Sequence, residues 1–280
     1  MTDHLNPVVS ATIFPPTFRY SQDNLQDYVA CARRFQLRHL FRQPWPSPLA
    51  EPLRDAERDA QYGEQFHRLL ERHFLDMKVK PPAGPLVDWW RAFTKQPPPQ
   101  LPVGDNVILI PEVLYSIPFD TRRLVAKFDL LAVVPGERIV IVDWKTAHHK
   151  PARQTLAERL QTAVYRYVAV GALATEFGGA VPADAVQLVY WFTAAPDKPE
   201  VFDYDARQHA ATNAYLHDLI SGVESQPDNP TRIWPLTADL RRCEHCNFRS
   251  FCARGSTAAP ADEQIDIDLF SPGDPLEIEL

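Results

Sequence analysis

Three consecutive stretches carry the two-residue apolar period of strands: NVILIPEVLYSIPF, RRLVAKFDLLAVV and RIVIVDWKT. They read as neighbouring strands, with Pro135-Gly136 turning the chain between the last two. Upstream the period is helical. Ser21 stands as an N-cap before a helix predicted to run to about Phe41, with Leu25, Tyr28, Phe35 and Leu37 among its apolar positions. A second helical pattern covers about Glu51 to Met77 and contains YGEQFHRLLERHF; a shorter one covers about Pro85 to Thr94. Downstream, a long helix is predicted over about Arg153 to Glu176, then the strand AVQLVYWFT, a shorter strand PEVFDYD and a helix through Gly222. Helix, three strands, helix, strand predicts an α/β core in which the late strand joins the sheet after a crossover helix.

Composition changes this picture little. The chain has 280 residues, 45% of them hydrophobic, enough for one large core or two small ones. No stretch approaches the ~20 apolar residues of a membrane span. The start, MTDHLNPVVS, lacks the basic and apolar regions of a signal peptide, so a cytoplasmic protein without membrane contact is expected. The 27 prolines cluster in PWPSP, PPAGP and QPPPQLP, which read as stiff connectors.

Charge matters more once it is localised. The net charge is -7, yet the chain after Arg254 holds no Lys or Arg and seven acids, from Asp262 to Glu279. Without those seven, 29 acidic residues face 29 basic ones, so a basic groove for a nucleic acid is compatible with the body.

The chemistry concentrates around VDWKT. Side chains two apart on a strand share a face, so Asp143 and Lys145 stand side by side. Asp129, in KFDLL on the preceding strand, meets Asp143 if the two strands pair as a hairpin. Converging carboxylates repel each other and ask for a cation, and all-oxygen donors suit Mg²⁺ or Mn²⁺. Lys145 would then offset charge developing on a phosphate. On residue types alone, an ion pair at a strand end accounts for Asp143 and Lys145 equally well.

The surrounding order of motifs resembles the PD-(D/E)XK nuclease superfamily, in particular its RecB-like branch, which includes AddB-type nuclease subunits and CRISPR-adaptation exonucleases. YGEQFHRLL is similar to that branch's G-x-x-x-H helix, with Gly63 and His67. KFDLL is similar to its first-carboxylate strand at Asp129, with Phe128 where the superfamily's name has proline. VDWKT stands for the usual DYKT, with Trp144 in place of tyrosine, and LQTAVYRY supplies Q-x-x-x-Y through Gln161 and Tyr165. The resemblance implies a restriction-endonuclease-like core, a mixed central sheet flanked by helices. It implies that His67, Asp129, Asp143 and the Trp144 carbonyl hold the metal, and that Asp129, Asp143 and Lys145 are catalytic. Gln161 and Tyr165 would touch DNA or order the site, and Glu112 is an accessory candidate.

Four cysteines complete the inventory: Cys31 alone, and Cys243, Cys246 and Cys252 as C-x2-C-x5-C. In a reducing compartment this pattern argues for a metal, and four thiolates suit Zn²⁺ or an iron-sulfur cluster. A distant cysteine plus a C-terminal triplet would join the two ends of the chain. SQDNLQDYVACARRF resembles the entry helix of the iron-sulfur RecB-like group, with Ala32 where proline is usual. That resemblance implies a 4Fe-4S cluster, with Zn²⁺ as the alternative.

Three regions follow: residues 1–20 as an N-terminal extension, 21–255 as the nuclease domain with its cysteine staple, and 256–280 as an acidic tail of disordered composition. Within the tail, Gln264 to Phe270 resembles a sliding-clamp-binding peptide. The implied function is a metal-dependent DNA exonuclease acting on single strands or ends in repair or recombination. A CRISPR-adaptation trimming nuclease working with an integrase, and a non-catalytic DNA-binding scaffold, are the alternatives. No G-x-x-x-x-G-K-S/T loop is present, so unwinding would need a partner helicase.

Overall fold

The computed structural model describes residues 13–43, 51–80, 82–244 and 246–255. Its centre is a six-stranded mixed sheet. Strands β1 (Arg19–Tyr20), β2 (Ile108–Phe119), β3 (Arg122–Val134), β4 (Arg138–Lys145), β5 (Val186–Phe192) and β6 (Glu200–Asp203) form it. β2, β3 and β4 are the predicted consecutive antiparallel strands. β5 lies parallel to β4, as a crossover requires, and β6 returns antiparallel at the edge. Gly136, at φ 73°, makes the β3–β4 turn in a conformation that favours glycine.

Helices cover both faces. In chain order they are α1 (Gln22–Ala30), α2 (Ala32–Phe35), α3 (Glu51–Phe74), α4 (Leu86–Lys95), α5 (Arg153–Ala157), α6 (Leu160–Ala172), α7 (Ala174–Phe177), α8 (Ala206–Glu224) and α9 (Arg241–Glu244). α1, α6 and α8 pack on one face, where Leu25, Val164, Val168, Leu216 and Ile220 meet Ile139, Ile141 and Leu188 of the sheet. α3 and α4 cover the other, where Phe66, Leu70 and Phe93 meet Val140, Val142, Trp144 and Trp191. Because β4 is covered on both sides, its run RIVIVDWK is apolar without alternation and buried from Ile139 onward. Each such side chain contributes roughly 1.5–3 kcal/mol of burial, so the ends of β4 are held firmly in place.

Two predicted long helices are broken instead. Ser21 caps α1 as expected, accepting from Asn24 N–H while the Asn24 side chain accepts from Ser21 N–H. The helix then stops at Cys31, whose extended backbone (φ -168°, ψ 119°) turns its sulfur toward the amide of Thr237. A short α2 and a π-helical turn, Gln36–Leu40, follow. The second long helix breaks at Arg159, also extended, and restarts as α6. There the Gln26 side chain accepts from the Leu160 amide, and Thr162 Oγ1 donates to Leu156 O. Tertiary partners that accept or donate locally outweigh helical periodicity at both breaks.

Residues 13–20, ahead of α1, contribute to the core and the sheet. Ile13, Phe14 and Tyr20 are buried in the core, and β1 pairs parallel with β3. The acidic tail and its Gln264–Phe270 peptide lie outside the described residues. Among the described residues, no helix is long and apolar enough to cross a membrane.

Candidate active site

The site begins where two strands part. β3 and β4 pair from Val134 opposite Arg138 to Leu130 opposite Val142, and the ladder ends there. One step further would set Asp129 opposite Asp143. β4 stays paired to β5 as far as Lys145 opposite Phe192, so β3 is the strand that departs. The Trp144 amide, which a continued ladder would have used, donates instead to Asp129 Oδ2 at 2.9 Å.

The same level carries a distortion in β2. Glu112 has φ 46°, a conformation that costs a non-glycine residue on the order of 1–3 kcal/mol. On β3, Ala126 and Phe128 face the α6 side and so do Leu131 and Val133, so the alternation slips by one around Asp129. β2 interrupts its pairing at the same level. The register therefore runs unchanged on either side, Pro111 opposite Leu130 and Val113 opposite Phe128. Paired distortions of this kind re-aim side chains, and here the two re-aimed groups are both carboxylates.

His67 meets them from α3. Gly63, one turn earlier, lets the helix approach β4: a Cβ on Gly63 would stand 2.9 Å from Thr146 Oγ1. With the helix that close, His67 Nε2 lies 3.1 Å from the Trp144 carbonyl. Its Nδ1 lies 3.4 Å from Asp129 Oδ1 and 3.6 Å from Glu112 Oε1. Burial opposes charge on this imidazole, but the Asp129 and Glu112 carboxylates outweigh it and hold the histidine well above its ordinary pKa. Burial likewise works against the Asp129 carboxylate, and His67 and the Trp144 N–H more than compensate, holding its carboxyl low.

One donor atom from each of His67, Glu112 and Asp129 falls within 4.8 Å of the other two. Glu112 Oε1 is buried and accepts no hydrogen bond among the described residues. A nitrogen and carboxylate oxygens converging on one point, one of them lacking a donor, fit a hard divalent cation.

Asp143 and Lys145 stand on the α6 side. Lys145 Nζ lies 3.0 Å from Asp143 Oδ2, and Gln161 Nε2 donates to Asp143 Oδ1 at 2.8 Å. The pair is buried, with Lys145 only 7% exposed. Burying an ion pair is costly, and the second hydrogen bond from Gln161 offsets part of that cost. Tyr165, four residues after Gln161, packs its ring on Phe128 at 5.1 Å. Burial and the nearby Asp143 and Asp129 charges push its hydroxyl well above the ordinary tyrosine pKa, so it stays neutral. Gln161 and Tyr165 are both buried, one bonded to Asp143 and the other to the core.

The predicted residues are therefore brought to one end of the sheet, in two groups. Glu112, the accessory candidate, is in the tight cluster with His67 and Asp129. Asp143 is outside that cluster and pairs with Lys145 and Gln161. The Trp144 side chain is buried among Phe74, Phe93 and Trp191, while its backbone N–H and C=O serve Asp129 and His67. Sequence reading passed over Lys127, whose Nζ lies 2.7 Å from Glu112 Oε2. Its place two residues before Asp129 was the available signal.

Outside this site, Cys31, Cys243, Cys246 and Cys252 line one cleft, and none is in a disulfide. The Thr237 amide donates to Cys31 Sγ at 3.4 Å, and Arg254 donates to Cys243 Sγ at 3.3 Å. Burial pushes the Cys246 thiol up, and the neighbouring Cys252 and Cys31 add to it. Among the described residues, no three of the four sulfurs lie within 4.8 Å of one another.

An α/β fold with a mixed central sheet and flanking helices fits a restriction-endonuclease-like core, and its carboxylates, histidine and buried lysine gather where two strands part. The model of the PD-(D/E)XK nuclease superfamily matches residues 19–114 and 84–253. The chain belongs to that superfamily and is a phosphodiester hydrolase, a nuclease. Among solved structures, it is similar to the "Putative exonuclease" from Eubacterium rectale (TM-score 0.45, 9% identity, covering 82% of this chain and 91% of that one). It is also similar to the protein SSO0001 (TM-score 0.41, 14% identity, covering 85% and 87%). No curated protein matches.

Proposed function

We propose that this nuclease cleaves DNA, acting on single strands or ends as an exonuclease. The observation that carries the reading is the buried Asp143–Lys145 pair beside the His67, Glu112 and Asp129 cluster, at the level where β3 leaves β4. His67, Asp129 and Asp143 would hold Mg²⁺ or Mn²⁺ with the Trp144 carbonyl, and Glu112 joins them through its buried Oε1. The bound ion would polarise the scissile phosphate and acidify the attacking water. Lys145, buried against Asp143, would place its positive charge in a water-poor pocket, where it acts strongly on charge developing at phosphate. Gln161 fixes the Asp143 rotamer, and Tyr165 supports the β3 bend through Phe128.

The four cysteines are proposed to hold a 4Fe-4S cluster of the RecB-like type. Four thiolates suit an iron-sulfur cluster, with zinc as the alternative, and the Thr237 N–H and Arg254 donors aimed at sulfur fit anionic ligands to either centre. Residues 21–255 would then be one domain closed by that staple. A helicase or an integrase is the proposed partner, according to whether the pathway is repair or CRISPR adaptation.

The test is digestion of end-labelled single-stranded DNA with Mn²⁺ by anaerobically purified protein, beside Lys145→Ala. Cleavage by the wild type that the variant loses is the expected result, and the product ladder gives the polarity. A wild type that cleaves no single-stranded, duplex or forked DNA sinks the DNA-exonuclease reading in favour of the scaffold.

A further inference from the structure

The cluster of His67, Glu112 and Asp129 has a second cation at its edge. Lys127 Nζ lies 2.7 Å from Glu112 Oε2, while the other Glu112 oxygen faces His67. One Glu112 oxygen is therefore paired with an ammonium, while the other faces the His67 imidazole without a hydrogen bond among the described residues. The two partners differ in mobility. His67 is fixed on α3 by Gly63 and the Trp144 carbonyl, whereas the Lys127 side chain is half exposed.

Lys127 can swing into water, but Glu112 is only 12% exposed and would be costly to leave unpaired, so the ammonium can leave only when another cation takes its place on the carboxylate. Its ammonium also lies close enough to repel a divalent ion arriving at the same carboxylate. Once displaced, it is a point charge on a flexible stem at the rim of the site, the kind of group that holds a phosphate.

We propose that Lys127 is a displaceable counter-cation, which holds Glu112 until metal binds and then contacts the phosphate backbone of the substrate. The proposal rests on the reading of His67, Glu112 and Asp129 as the metal site. It departs from a static role, in which Lys127 would merely brace Glu112 for the metal.

The two roles predict opposite signs. Mn²⁺ binding to the full-length protein is measured calorimetrically for wild type, Lys127→Ala, Lys127→Arg and Glu112→Gln. Binding of labelled single-stranded DNA is measured in Ca²⁺. Lys127→Ala is expected to bind Mn²⁺ about three- to tenfold more tightly, the gain from removing a screened positive charge. It is expected to bind DNA more weakly, with a salt dependence shallower by about one phosphate contact. Lys127→Arg should restore both behaviours. Unchanged or weaker Mn²⁺ binding by Lys127→Ala overturns displacement, and unchanged DNA binding overturns the phosphate contact. Glu112→Gln separates the levels: if it leaves Mn²⁺ affinity intact, the metal-site reading falls and this proposal with it. If it weakens Mn²⁺ binding while Lys127→Ala does not tighten it, only the role of Lys127 falls.

Discussion

Asp129 and Trp144 are joined by one bond, the Trp144 amide donating to Asp129 Oδ2 at 2.9 Å, at the level where β3 and β4 separate. The carboxylate thus does two jobs. One oxygen replaces the ladder partner that the separation removed, and the other faces His67. Architecture and chemistry meet in a single side chain, and substitutions can pull them apart.

Asp129→Asn keeps an acceptor for the Trp144 amide and loses the charge. It is expected to fold with the strand junction intact, losing only the stability that came from the charge facing His67, to lose Mn²⁺ affinity and to cleave about 10² times more slowly or worse. Asp129→Ala should lose the same activity and about 1–3 kcal/mol of stability besides, because a buried N–H is left without an acceptor. Thermal melting beside a cleavage assay separates the two. Equal melting temperatures for the two variants would show that the bond does not hold the strands.

Gly63 places His67. A methyl at position 63 would stand 2.9 Å from Oγ1 of the buried, β-branched Thr146, so either that side chain changes χ1 or the helix backs away slightly. Gly63→Ala should therefore weaken Mn²⁺ binding modestly. Gly63→Val presses a branched group on β4 and moves the helix, so Mn²⁺ binding should fall at least about tenfold while the fold survives. Calorimetry with Mn²⁺ reads this directly. Full Mn²⁺ affinity in the valine variant would mean that the approach of α3 is not what seats the histidine.

What the sequence made legible follows from local physics. The three antiparallel strands β2, β3 and β4 follow from their apolar runs and the Pro135-Gly136 turn, the crossover to β5 from the helical pattern between, and the Asp143–Lys145 neighbourhood from strand parity. The slip of alternation around Asp129 and Glu112 does not, because it needs two strands to distort together and neither shows it alone. That is why Glu112 stood only as an accessory and Lys127 was passed over. The breaks at Cys31 and Arg159 were hidden for a similar reason: the groups that stop each helix, Thr237 and Gln26, come from distant parts of the chain. The burial of Ile13 and Phe14 depends on packing partners that no local pattern reveals.

Asp27 anchors the N-terminal helices and gives a pH prediction. It is 1% exposed and pairs with Arg34 at 2.7 Å, His39 at 2.8 Å and Arg38 at 3.2 Å. Burial alone would raise its pKa, but Arg34, His39 and Arg38 overcome that and hold it below the ordinary aspartate value. Its contribution to stability is therefore present above about pH 4 and lost as the pH falls through the lower folded value. Asp27→Asn should cost about 2–4 kcal/mol at neutral pH, and the gap from wild type should narrow below about pH 4. Urea unfolding of both proteins across that range is the measurement. A gap that widens in acid would contradict the assignment of Asp27 as the charged hub.

The cysteine cleft makes the last prediction. Cys31 ends α1 in an extended conformation, and Cys243, Cys246 and Cys252 come from the segment around α9, more than 200 residues away. An inorganic centre bridging them would close a very long loop, and such a closure stabilises a fold more than the same ligands close in sequence, by an amount that grows slowly with loop length. Anaerobically purified protein is expected to carry iron and sulfide with a broad visible absorption, and Cys31→Ser to lose both and to melt at a lower temperature. Active-site Mn²⁺ binding should survive in Cys31→Ser wherever the sheet stays folded, because His67, Glu112 and Asp129 lie on α3, β2 and β3. Stoichiometric zinc without iron would replace the cluster by a single ion and require the four sulfurs to draw together. Protein with neither metal, and an unchanged melting temperature in Cys31→Ser, would leave the cleft held by Thr237, Arg254 and the surrounding apolar contacts alone.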